Sequence, residues 1–228
     1  MRGSFALLIC LLLTVFAMMS CGGGGAVSSS SGTTTTGGNP GGGATTTQDY
    51  FPMTVNSVWN YNVTAGSTSY QSTNLVTQVT TSAVFIKSST TLNSIYSIVE
   101  YSKQSSGAWT FSKITTYNSN GSVSQVVTFS PPLQITPSNW ATGTHETVNS
   151  TESVSNGSHY SYTQDITVNG SESVTVPSGT FNNAMKVTNV STIQGTTNTT
   201  TYWFVDGEGL VKSSATNYSS PLSSYTIH

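Results

Sequence analysis

The sequence predicts an all-β protein: a single antiparallel, curved sheet of many short strands, a half-barrel or sandwich-like, preceded by a leader and a linker. Three observations carry that expectation. β-branched Thr and Val dominate the chain after Asp49, apolar side chains recur there at alternate positions, and no stretch keeps a helical period with caps. Short Gly, Ser and Asn clusters separate the alternating runs, as turns between antiparallel strands require.

Taken in chain order, residues 1–20 hold one positive charge at Arg2, an apolar run from Phe5 to Met19, and the small Ser20. That is the layout of a secretory signal peptide. The run is short of the roughly 20 apolar residues that span a bilayer. Residues 21–48 open on Cys21 and continue as a Gly/Ser/Thr tract with no charge and no aromatic side chain. Such a tract behaves as a flexible coil, with an r.m.s. span on the order of 28 Å for this length.

Residues 49–228 form the expected β domain. In the run Val55 to Val63, the odd positions Val55, Trp59, Tyr61 and Val63 share one face, while Asn56, Asn60 and Asn62 take the other. Further strands are expected at about 74–86, 94–103, 108–117, 122–129, 144–153, 159–168, 171–176, 184–193, 199–205 and 210–217. Asn120-Gly121, Asn156-Gly157 and Asn169-Gly170 carry hairpin chemistry, because Asn and Gly accept the positive φ of a type I′ turn. Asn169-Gly170 is the clearest, with alternating arms on both sides. The segment Ser130 to Pro137 contains Pro131, Pro132 and Pro137, and proline cannot donate to a ladder, so a crossover loop is expected there.

Composition narrows the function. Charged residues are 6% of the chain, the net charge is −2 and no basic cluster occurs. A grip on phosphate backbones needs such a cluster, so nucleic acid is not an expected partner. Of the two cysteines, Cys10 lies in the leader, which leaves Cys21 alone in the processed chain. Disulfides, Cys-based zinc sites and thiol nucleophiles are thereby excluded from the β domain.

No catalytic constellation is legible, and no metal or cofactor is expected. His145 and Glu146 are neighbours and would point to opposite faces of a strand. Asp206 and Glu208 flank Gly207 and read as a solvated turn, since a calcium ion usually takes six or more oxygens. A hydrolase would need Glu146, Glu152 or Asp165 in a pocket beside a His. The candidate ligand contacts are Trp59, Tyr61, Trp109 and Trp203, which together would line a concave face for an acyl chain or offer a stacking platform for sugars.

Two resemblances add to this reading. Met18-Met19-Ser20-Cys21 resembles the lipobox of bacterial lipoproteins, which implies a diacylglyceryl group on the Cys21 sulfur, cleavage before it and acylation of the new amine. Farther on, Tyr50-Phe51-Pro52-Met53 with Trp59 and Tyr61, then Val176-Pro177-Ser178-Gly179-Thr180-Phe181 with Lys186-Val187, and Trp203 with Gly207-Glu208-Gly209-Leu210-Val211-Lys212 resemble a group of uncharacterised bacterial lipoproteins. Ser178 stands where that group more often has Ala. The resemblance implies a curved antiparallel sheet similar to the half-barrels of periplasmic lipoprotein carriers. About activity it implies little; the lipobox-like segment, the linker and the lack of a catalytic constellation together lead to the expectation of a membrane-anchored, non-enzymatic envelope protein that binds an apolar ligand or a protein partner, with a structural or adhesive surface role as the alternative. Gly22 follows Cys21 in place of the Asp that, in the proteins resembled, marks inner-membrane retention, so the outer membrane is the expected destination.

Overall fold

A computed structural model describes residues 48–228; the leader, Cys21 and most of the linker lie outside the described residues. Twelve strands follow one another: β1 (Val58–Ala65), β2 (Thr68–Val79), β3 (Val84–Thr90), β4 (Tyr96–Lys103), β5 (Trp109–Tyr117), β6 (Val123–Gln134), β7 (His145–Val154), β8 (His159–Val176), β9 (Gly179–Ile193), β10 (Thr196–Val205), β11 (Gly209–Ala215) and β12 (Tyr218–Thr226). Each pairs antiparallel with its neighbours in sequence, and β1 pairs with β12 from Val58↔Thr226 to Ala65↔Tyr218. The sheet is therefore a closed up-and-down barrel.

Closure corrects the expected half-barrel or sandwich. The difference rests on β12, a strand the sequence hides: Pro221 interrupts it and serine fills half of its other positions. Only Tyr218, Ser220 and Leu222 betray an inward face, all three buried. The β1–β12 ladder shifts register between Asn60 and Tyr61 and tolerates Pro221, which has no amide to donate. Closing the ring leaves no sheet edge to recruit other chains.

Three further expectations change. The run expected over 74–86 is two strands, β2 and β3, turned at Thr80, whose amide donates to Ala83 O at 2.8 Å. Asn169-Gly170 is not a hairpin turn: β8 continues through it, and Gly170, at φ 106°, lies where the β8–β9 register slips. A glycine at positive φ inside a strand is the mark of a bulge. The third concerns the prolines. Pro131 and Pro132 belong to β6, but the β6–β7 pairing stops at Ser130, so no ladder bond is asked of them. Beyond Gln134 the chain does leave the sheet as a loop to β7.

Alternation fills the interior in two zones. Toward the end where β1 begins and β10 finishes, Val76, Val99, Phe111, Leu133, Ile166, Val187, Phe204 and Val211 are buried. Toward the other end the inward positions turn small and polar: Ser72, Ser88, Thr116, Ser150, Ser191 and Ser213 are buried beside Tyr70, Tyr202 and Tyr218. Small hydroxyl residues lie there beside large phenols, and the phenols find hydrogen bonds, as with Tyr162 to Ser191 and Tyr218 to Ser213 and Ser220. The β8–β9 hairpin also reaches across the barrel, where Ser178 N donates to Leu222 O at 3.1 Å.

Candidate functional site

The apolar end of the barrel is covered by two straps. The first is Asp49 to Met53, held by the β10–β11 turn: Gly207 N donates to Asp49 O at 2.9 Å, and Asp49 N donates to Asp206 Oδ1 at 2.6 Å. Its rings then drop into the barrel. Phe51 packs on Tyr101 at 5.6 Å and on Trp109 at 5.7 Å between ring centres, and Tyr50 lies 4.1 Å from Trp140.

The second strap is the loop after β6. Gln134 and Gln164 bond reciprocally, with Gln134 N to Gln164 Oε1 at 3.1 Å and Gln164 Nε2 to Gln134 O at 2.8 Å. Glu146 accepts from Ser138 N at 2.9 Å, from Ser138 Oγ at 2.6 Å and from Gln134 Nε2. The bonds between Gln134 and Gln164 answer polar groups that burial would otherwise leave costly, whereas those from Ser138 to Glu146 lie at the surface.

A cleft remains between the first strap and the wall. Phe51, Met53, Trp59, Tyr61, Tyr101 and Leu210 line it, with Ile86 and Ile135 behind. Its polar atoms are spoken for. Trp59 Nε1 donates to Glu208 O at 2.7 Å, and Tyr61 Oη donates to Leu210 O at 2.9 Å. Burial pushes the Tyr61 and Tyr101 phenols far up, so both stay neutral. The backbone approaches closely here: a Cβ on Gly209 would meet Trp59 Nε1 and Pro52 Cδ at 3.4 Å. The cavity volume is about 30 Å³. Drug-sized ligands occupy roughly 300 to 1,000 Å³, whereas a water needs about 10 to 15 Å³. The cleft suits water or a very small group and is too small for an acyl chain.

Two of the expected contacts, Trp59 and Tyr61, thus meet in one place. Trp109 packs behind Phe51 with Lys103 Nζ 5.8 Å from its ring. Trp203 faces outward. Its Nε1 donates to Glu172 Oε1 at 2.7 Å, and Lys212 and Lys186 lie 4.9 and 5.8 Å from its ring. Glu172 also pairs with Lys186 at 3.4 Å. The four rings therefore do not share a concave face. Tyr101 was overlooked as a partner of Trp59, although its alternation with Val99 on β4 marks both as inward.

The acids and histidines do not assemble into a catalytic group. Asp165 comes within 3.8 Å of His145 and accepts from Thr147 Oγ1 at 2.5 Å, but the His and Asp side chains are 57% and 39% exposed on an open strand face. Ser153 Oγ and His159 Nδ1 are 2.9 Å apart on the same outer surface. Glu152 points into the barrel, and burial raises its carboxyl above the ordinary range. Among the described residues no three His, Cys, Asp or Glu side chains gather as metal ligands.

Comparison with known proteins adds little to this geometry. No family model matches the chain, and no curated protein matches it. Among solved structures, the chain is similar to the crystal structure of a "putative lipoprotein" from Parabacteroides distasonis ATCC 8503, at 14% identity and a TM-score of 0.46. The alignment covers 78% of this chain and 99% of that one.

Proposed function

We propose that the chain is an exported, lipid-anchored protein of the bacterial envelope, held at Cys21, and that its barrel is a non-enzymatic module working through its outer surface. The observation that carries the second half is the burial of the inward side chains. A carrier encloses its cargo, and here the inward positions are occupied by the protein's own valines, phenols and hydroxyls while two straps cover the apolar end. The wall carries no apolar band around its whole circumference. Outward positions form hydrogen-bonded polar pairs such as Thr73–Asn60, Thr163–Asn149 and Thr188–Asn169, where a membrane-spanning barrel presents an apolar band. Among the described residues no helix is long and apolar enough to cross a membrane.

The anchor itself rests on the sequence: the leader, the lipobox-like Met18-Met19-Ser20-Cys21 and the linker behind it. Gly22 favours the outer membrane. One rival reading keeps a specific observation in its favour, since the cleft beside Trp59, Tyr61 and Tyr101 is apolar and open to a small group. Native mass spectrometry of the processed chain carrying Cys21→Ser separates the two. The surface-acting module is expected at the bare mass of the polypeptide. A lipid or other apolar molecule bound one to one would overturn that reading in favour of a ligand carrier.

A further inference from the structure

The barrel wall has two unlike outer faces. Across β7 to β10 the outward residues pair as Thr147–Asp165–Val190–Thr199 and Asn149–Thr163–Thr192–Thr197, a surface of hydroxyls and amides. Across β1 to β6 the corresponding row is Val58–Leu75–Lys87–Ile98–Thr115–Val126. Beside it Ser89, Tyr96, Tyr117 and Val123 stand in register. Tyr96 and Tyr117 stack at 4.8 Å with planes 9° apart, and Lys87 Nζ caps Tyr96 at 4.3 Å. At that same end two bulky apolar side chains project into solvent: Leu92 in the β3–β4 turn, 45% exposed, and Val123 where β6 starts, 54% exposed.

Charge divides along the same line. Strands β1 to β6 carry Lys87, Lys103 and Lys113 against Glu100 alone, whereas on the wall of β7 to β12 Asp165 and Glu172 are balanced by Lys186 and Lys212, with Glu152 turned inward and Glu146 bonded to the loop after β6. The cationic half is also the half with the apolar row, the tyrosine pair and the exposed tips.

We infer that this face docks the barrel onto the acidic bilayer surface to which Cys21 tethers it. The inference rests on the proposed anchor. Lysines are drawn to anionic head groups, tyrosines favour the level where apolar and wet regions meet, and exposed apolar tips gain by leaving water there. The other half of the wall, its outward charges balanced, offers an acidic surface no such attraction, so the lysine-bearing half turns toward it. A protein partner would fit the apolar row, but the tether decides for lipid. The proposed tether at Cys21 holds the face at an effective concentration on the order of millimolar, so a contact too weak to recruit a free barrel is occupied in a tethered one.

The test uses the mature, lipidated chain in vesicles of phosphatidylethanolamine and phosphatidylglycerol. A nitroxide is attached to Leu92→Cys or, on the opposite wall, to Thr199→Cys; Cys21 is blocked by its lipid, so labelling is single. Flotation first shows whether the chain is anchored. The Leu92 label is expected to be at least three-fold less accessible than the Thr199 label to a water-soluble nickel relaxant. That difference is expected to collapse in phosphatidylcholine vesicles and in a Lys87→Glu, Lys113→Glu variant, both of whose substitutions sit on the outer face and leave the core untouched. Equal accessibility at the two sites on vesicles that carry the protein would overturn the docking while leaving the anchor standing. Protection at Leu92 that appears only when envelope proteins are added would overturn it in favour of a protein partner. Failure to float would remove the anchor, and the docking with it.

Discussion

Gly209 begins β11 at φ 90°, and the space where its Cβ would stand is bounded by Pro52 of the strap and Trp59 of β1. An alanine there meets strain and contact together. Gly209→Ala is expected to cost about 1 to 3 kcal/mol through the strained φ, read from the denaturant midpoint. Glu152 makes a second residue-scale prediction. Because burial raises its carboxyl, the folded chain binds this proton more tightly than the unfolded one. Its contribution is fully present at acid pH and lost as pH rises from the unfolded value through the raised one. Glu152→Gln should therefore melt higher than the parent at neutral pH, with the gap closing on acidification; parallel pH profiles would contradict this. At this scale period-two alternation made Trp59 and Tyr61 legible as inward. It was silent on Trp203, because Tyr202-Trp203-Phe204 is aromatic at all three positions and only the pairing of Trp203 with Lys186 and Lys212 tells its face.

Local turn chemistry misled most at the level of elements. Asn-Gly at 120–121 and 156–157 does reverse the chain, since each lies in a turn between successive strands, yet Asn169-Gly170 has the same letters and becomes a bulge. The deciding interaction is tertiary: β8 pairs on through Ser171 and Glu172 with Met185 and Ala184 of β9, and the chain turns at Pro177-Ser178 instead. Strap residues were equally hard to read, because their partners lie far away in sequence. Glu146 is the clearest case, drawing Gln134 and Ser138 together. Glu146→Ala leaves the part-buried Gln134 amide without its acceptor and frees Ser138 to solvent, and is expected to cost roughly 1 to 2 kcal/mol. The local sign is hydrogen exchange: the Ile135 amide, which donates to Trp109 O at 2.8 Å, should lose protection ahead of the barrel strands. Unchanged exchange at Ile135 would show that the loop is held without Glu146.

For the whole molecule, the all-β class was legible and the closure was not. Alternation describes each strand against its neighbour, whereas closure joins Val58 to Thr226, the two ends of the domain, through a strand rich in serine around a proline. Removing residues 218–228 should leave β1 and β11 with open edges and make the barrel aggregate, measured by light scattering after refolding. The same closure, together with the burial of the inward side chains, moves the reading of this protein away from a carrier and toward a tethered surface module. Everything in that reading depends on the anchor, and metabolic labelling with a radioactive fatty acid tests it most directly. The parent chain is expected to take up label and Cys21→Ala to take up none; label retained by Cys21→Ala, or absent from the parent, would contradict it.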